Sequence, residues 1–200
     1  MSDPVKLAVV TLVTRPRNLS AIAASITAAL ENAPNANVEL DWIQVWDQRS
    51  ANFSEVDGEY YPAHGYILTP PPDWYGEPYL RNAALTVVES GHVAWLDDDN
   101  TMAPTFIARV GELLAETPDA ALVFDQTANG AHRLTAAPRN MIVGGVDTAQ
   151  VVAPRELYDG QSFRNVINGT DGLMYEAIFR QHAERFRFVN EPHVTYNALA

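Results

Sequence analysis

The stretch His92-Val-Ala-Trp-Leu-Asp-Asp-Asp-Asn100 joins a short apolar run to three consecutive carboxylates. Four-to-six-residue apolar runs of this kind read as strands buried on both faces. Three adjacent carboxylates repel one another and resist leaving water. At the end of a buried strand they call for a compensating positive group. A divalent cation holding a phosphorylated ligand supplies one; an acidic loop capping the next helix, through Asp99 or Asn100, is the plainer alternative.

The flanking sequence builds an α/β domain outward from this point. Leu7-Ala-Val-Val-Thr-Leu-Val13 is a second continuous apolar run. Leu19, Ile22, Ile26 and Leu30 recur at helical spacing, the helix stopping before Pro34, and Val38 to Trp46 reads as a strand ending at Asp47. That is a βαβ unit, which implies parallel strands. A helix is expected from about Pro78 to Ser90, stopped by Gly91, and another from Pro104, with Phe106, Ile107, Val110, Leu113 and Leu114 on its apolar face. Strands are expected at Ala120–Phe124, Asn140–Gly144, Gln150–Val152 and Arg185–Val189, and Glu191–Thr195 closes the chain after the last of them. Asn129-Gly130 marks a turn in a loop or hairpin over 125–139. Thr170 or Asp171 is placed to cap a helix carrying Leu173, Met174, Ala177 and Ile178. The stretch 48–78, rich in Tyr60, Tyr61, Tyr66, Trp74, Tyr75, Tyr79 and proline, including Pro62, reads as a long irregular loop. Its aromatic faces suit either sugar stacking or core.

Bulk properties narrow the function. Thirteen Lys+Arg against 25 Asp+Glu give a net charge of −12, which argues against binding nucleic acid by general phosphate attraction. The chain has no cysteine, so disulfides and thiolate metal sites are excluded. No apolar run approaches the roughly 18 residues of a membrane span. The first residues lack the pattern of a signal peptide, so a cytoplasmic location is the expectation.

In open α/β sheets ligands sit beyond the carboxyl ends of the strands. Thr14-Arg15, Asp47 and Asp97–Asp99 each follow an expected strand and so converge on one cleft. Oxygen ligands without cysteine favour Mg²⁺ or Mn²⁺.

A strand, an Asp-Asp-Asp or Asp-x-Asp motif and then a helix, midway along the domain, resembles the GT-A fold glycosyltransferases. The text is similar to family 2 enzymes and to inverting glucuronyltransferase-type enzymes. Thr14-Arg15-Pro16 resembles their first loop, Arg81-Asn82-Ala-Ala-Leu85 their helix before the metal strand, and Trp95-Leu-Asp-Asp-Asp-Asn-Thr101 their signature. The resemblance implies a single domain over residues 1–200, a three-layer α/β/α Rossmann-like sandwich with a mostly parallel central sheet. Residues 1–100 would form the nucleotide-sugar half and 101–200 the acceptor half. It implies a nucleotide diphosphate-sugar donor, tilted towards uridine diphosphate, with Mn²⁺ or Mg²⁺. Asp99 would bind the metal, with Asp97 and His193 as further candidates. Asp97 would also contact the ribose and Asp98 lie beside the nucleotide. Thr14, Arg15 and Asp47 would hold the nucleoside, and Arg81 would approach the nucleotide or donor sugar. For Arg81 a surface salt bridge, and for His193 a packing role, are the competing readings.

An inverting transfer needs a carboxylate to take the acceptor's proton. Asp171 is the first candidate and Glu176 the second. The glucuronyltransferase-type pattern carries Glu in that region, from which this chain departs. Gly144–Val152 falls where the family shapes its acceptor site. Acceptors open to this reading are a carbohydrate, a small molecule or a hydroxymethylated DNA base. A nucleotidyltransferase, against which the glycine-free Val13-Thr-Arg-Pro-Arg17 loop counts, and a non-catalytic sugar- or Ca²⁺-binding module are the alternatives.

Overall fold

The structure is a computed structural model describing residues 3–49 and 64–199. Tyr60, Tyr61 and Pro62 of the aromatic stretch lie outside the described residues. Nine strands form one sheet: β1 (Val5–Val13), β2 (Val38–Asp47), β3 (Gly65–Leu68), β4 (His92–Trp95), β5 (Thr101–Met102), β6 (Ala121–Ala128), β7 (Ala131–Leu134), β8 (Val151–Pro154) and β9 (Phe186–Tyr196). Four helices accompany them: α1 (Leu19–Glu31), α2 (Gly76–Val87), α3 (Phe106–Glu116) and α4 (Thr170–His182). The spatial order is β3-β2-β1-β4-β8-β6-β9-β5, with β7 paired to β6.

The three layers expected from the resemblance are present. On one sheet face Leu80, Ala84 and Leu85 of α2 and Met174, Tyr175 and Ile178 of α4 pack against Val10, Leu12, Ile43 and Val45. On the other, Ile22 and Ile26 of α1 and Phe106, Val110 and Leu114 of α3 pack against Leu7, Val9 and Val13. The period-2 alternation of side chains divides each strand between these two cores. Strand β1 is buried almost throughout because both faces are covered.

The expectation of a mostly parallel sheet is corrected. Pairs β1–β2, β1–β4, β2–β3 and β6–β9 are parallel, whereas β4–β8, β6–β8, β5–β9 and β6–β7 are antiparallel. In the parallel half α1 connects β1 to its parallel neighbour β2, a crossover that the sequence periodicity reveals. The second half contains a hairpin, β6–β7, turned by Asn129 (φ 52°) and Gly130 (φ 74°), and a β8 that runs against β4.

Other expectations shift locally. Residues 140–144 are not a strand: Pro138–Asn140 makes a 3-10 turn, and Ile142 and Gly145 continue as tight turns through backbone bonds to Asn140 and Ile142. The final strand does not end at Val189 but runs on to Tyr196 as β9, pairing with β6 in parallel and, through Val194 and Thr195, with β5 in antiparallel fashion. Helix α4 is capped by Gly169 in the left-handed region (φ 79°), with neither Thr170 nor Asp171 acting as cap. In the aromatic stretch Tyr79 packs on the core, while Tyr66 and Tyr75 are exposed.

Leu114 of α3 has no exposed surface and closes the second core. Leu114→Ala is expected to cost about 2–5 kcal/mol, read from the urea-unfolding midpoint with the slope unchanged.

Candidate active site

Because β1, β2 and β4 are parallel, their carboxyl ends lie at one edge of the sheet. A cavity of about 370 Å³ opens there. Thr14, Arg15, Asp47, Asp97, Asp98, Asp99 and Asp171 all line it, as do Glu77, Asp147, Ile167 and Tyr196. Residues from seven separate segments, from Thr14 to Tyr196, therefore share one site.

The three carboxylates have different surroundings. Asp98 is buried and spent on the protein: its carboxylate accepts from the backbone N–H groups of Thr14 and Arg15, from Thr14 Oγ1 at 2.9 Å and from Arg15 Nη1 at 3.0 Å. It is a clamp that fixes the loop after β1. Asn18 Nδ2 adds a bond to the Asp98 carbonyl at 2.8 Å and one to Leu199 O at 3.2 Å, tying the residues after β9 to the same corner. Asp99 meets Arg15 Nη1 at 2.7 Å through Oδ2. Asp97 faces Arg81 Nη2 with both oxygens, at 3.2 and 3.1 Å.

Arg81 is the main departure from the sequence-based roles. It does not line the cavity; its side chain is 1% exposed and lies beneath the floor. It donates to Glu77 Oε1 at 2.7 Å and to Thr148 Oγ1 at 2.6 Å besides Asp97. Its guanidinium sits over Trp95 and Phe163, at 5.2 and 5.6 Å from the ring centroids. Burial opposes its charge, but the carboxylates of Asp97, Asp171 and Glu77 outweigh that and hold it firmly protonated. The surface-salt-bridge alternative fails with it: Glu77 and Arg81 do stand at i,i+4, yet the cation is inside.

Asp171 occupies the first turn of α4, and its carboxylate is held only by a long contact from Thr148 N, 3.4 Å. Its Oδ1 is buried with no hydrogen-bond partner. Burial raises its pKa, opposed by Arg81. A carboxylate that is short of donors and raised towards neutrality is suited to accept a proton. Gly172 lets the helix reach this place: a Cβ there would lie 2.4 Å from Val143 Cα, so the 142–145 turn rests directly on α4. Gly76 does the same for α2, since a Cβ would stand 2.6 Å from Asp47 Oδ2. Asp47 itself accepts from Arg49 N at 2.9 Å.

Besides Arg81, two candidates fall outside the cavity. His193 is buried, its ring 4.8 Å from Phe124 and 6.0 Å from Phe106, with Thr105 and Glu191 at its nitrogens. Burial lowers its pKa, as expected of a packed imidazole. Glu176 is on another face of α4 from Asp171, paired with Arg180. Glu77, Asp147 and Tyr196 were not singled out from the sequence. Glu77 carries the i,i+4 signal to Arg81, and Asp147-Thr-Ala-Gln150 is a capping-box pattern, which the structure forms. Tyr196 is reached only because β9 runs on past Thr195; Arg133 stacks on it at 3.7 Å and bonds Asp147 at 2.9 Å.

Among the described residues no group of three or more His, Asp or Glu is arranged to hold a metal ion. A hard cation that takes one or two carboxylates and completes its shell with phosphate oxygens and water needs no such group. Asp97 and Asp99, both facing the cavity, fit that donor set.

No protein-family model matches this chain, and no curated protein matches it significantly in sequence. Its fold does match solved structures. The crystal structure of S. aureus TarS 1–349 aligns with TM-score 0.70 at 13% identity, covering 96% of this chain and 60% of that one. TarS 1–349 in complex with UDP-GlcNAc gives 0.70 at 14%, covering 95% and 58%. The S. aureus TarS structure of greater length gives 0.71 at 12%, covering 96% and 36%. This chain thus spans at most about three-fifths of the structures it resembles. The likeness is one of fold, a glycosyltransferase-like α/β arrangement.

Burial pushes the Asp97 carboxyl up to about 7 despite Arg81. A carboxyl whose folded value exceeds its unfolded one holds its proton longer in the folded state, so stability falls as pH rises from about 4 to about 7. Asp97→Asn should remove that part of the fall, on the order of 1 kcal/mol, in urea unfolding at pH 5 and pH 8. Parallel pH slopes in the two proteins would contradict the assignment.

Proposed function

We propose that this cavity binds a nucleotide diphosphate-sugar and that the protein transfers the sugar to an acceptor hydroxyl, with inversion. The observation that carries the reading is the convergence of Thr14, Arg15, Asp47, Asp97, Asp99 and Asp171 on one cavity at the carboxyl edge of parallel strands. The fold it shares with a protein crystallised in complex with UDP-GlcNAc supports it.

Thr14, Arg15 and Asp47 take the nucleoside side, in a loop that Asp98 fixes from behind. Asp99, with Asp97, would hold Mn²⁺ or Mg²⁺, which when bound neutralises the diphosphate and makes it a better leaving group. Arg15, whose guanidinium is already beside Asp99, is the protein's own cation for the same charge. Arg81 acts from below, keeping Asp97 and Glu77 in place. On the far side Asp171 takes the proton of the acceptor hydroxyl as its oxygen attacks the anomeric carbon. The bond from that carbon to the diphosphate oxygen breaks, and the electron pair leaves with the diphosphate. The turns at 142–145 and the start of α4 form the acceptor side, so residues 1–100 serve mainly the donor and 101–200 the acceptor. No described helix is long and apolar enough to cross a membrane.

Two outcomes are expected. UDP-sugars should raise the melting temperature, more so with Mn²⁺, and Asp99→Asn should lose the Mn²⁺-dependent part. No shift with any nucleotide-sugar, with or without metal, rejects the reading. Asp171→Asn should retain donor binding while turnover falls about 10²–10⁴-fold; turnover at the parent rate sinks the base assignment.

A further inference from the structure

The cavity carries a charge pattern that bears on the donor sugar. Between Asp97 and the start of α4 four carboxylates face one another: Glu77, Asp97, Asp147 and Asp171 all line the cavity. Among the described residues the cations nearest them, Arg81, Arg133 and Arg49, are each engaged, Arg49 with Asp47. Arg81 is buried against Glu77, Asp97 and Thr148. Arg133 is held by Asp147, bonds Gln126 and lies flat on Tyr196. Arg15, the one basic residue among those lining the cavity, is committed to Asp98 and Asp99 at the other end. Arg139 and Arg164 are not among the lining residues.

Resting on the nucleotide-sugar reading, we infer that the transferred sugar is uncharged, a neutral hexose or N-acetylhexosamine, and that a uronic acid is rejected. A sugar carboxylate entering this end would meet four acids and, among the described residues lining the cavity, no guanidinium without a carboxylate partner. Neutral sugar hydroxyls, by contrast, are donors, and the partly exposed Glu77 and Asp97 carboxylates offer them acceptor oxygens. This departs from the glucuronyltransferase-type resemblance of the sequence. Glu77 is the specificity-determining side chain most open to substrate: it is half exposed and is the first acid of the cluster on α2.

The test is competitive displacement of a fluorescent uridine nucleotide by UDP, UDP-glucose, UDP-GlcNAc and UDP-glucuronate at fixed Mn²⁺. UDP-glucuronate should bind on the order of tenfold or more weakly than UDP-glucose. Glu77→Gln, which keeps an amide oxygen for Arg81, should narrow that gap several-fold, read as the ratio of the two sugars' affinities within the variant. Equal binding of the two sugars, with UDP bound normally, overturns the inference and leaves the nucleotide-sugar reading standing. A gap that Glu77→Gln does not alter removes Glu77 from the assignment. Failure of UDP itself to displace the probe overturns both readings together.

Discussion

A single buried guanidinium organises the acidic end of this molecule. Desolvating a cation costs several kcal/mol unless carboxylates and hydrogen bonds replace the lost water. Arg81 meets that cost with Glu77, Asp97 and Thr148 as acceptors and with the faces of Trp95 and Phe163. The arrangement works in both directions. Without Arg81 the acids of α2, of the turn after β4 and of α4 could not approach one another; without the acids the guanidinium could not stay inside. Arginine suits the position because its planar fork bonds several acceptors at once while stacking on aromatic rings.

The second organising contact is the Asp98 carboxylate, which gathers the loop after β1. Between them, Asp98 and Arg81 divide the Asp97–Asp99 run into a scaffold residue and two site residues. All three line the cavity, but the Asp98 carboxylate is taken up by Thr14 and Arg15, while Asp97 and Asp99 each have one arginine beside them. The repulsion expected of three adjacent carboxylates is thus relieved by separate partners before any ligand enters.

Much of this was legible in the sequence because it is local. The buried runs at Leu7–Val13 and His92–Leu96, the α1 and α3 periodicities and the strand-then-acid boundary all follow from burial and period, and they bring Thr14, Asp47, Asp97–Asp99 and Asp171 together. What was not legible is long-range. Strand direction leaves no mark on a four-residue apolar run such as Val151–Pro154, so the mixed sheet was missed. The Glu77–Arg81 spacing is the same for a solvated pair and a buried one; only the packing of Trp95 and Phe163 over it decides. His193 illustrates the converse: its place after an apolar strand suggested a ligand, whereas Phe106 and Phe124 enclose it as a packed ring.

The chemistry proposed for the cavity depends on a diphosphate lying between Arg15 and the Asp97–Asp99 pair, with the proton acceptor on α4 across from it. The most direct measurement is a crystal structure with UDP and Mn²⁺, recorded at the manganese absorption edge. The account predicts one anomalous peak beside the Asp99 and Asp97 carboxylates, with the diphosphate bridging towards Arg15 and the base against Thr14 and Asp47. UDP bound elsewhere, or a manganese peak remote from both carboxylates, would contradict it.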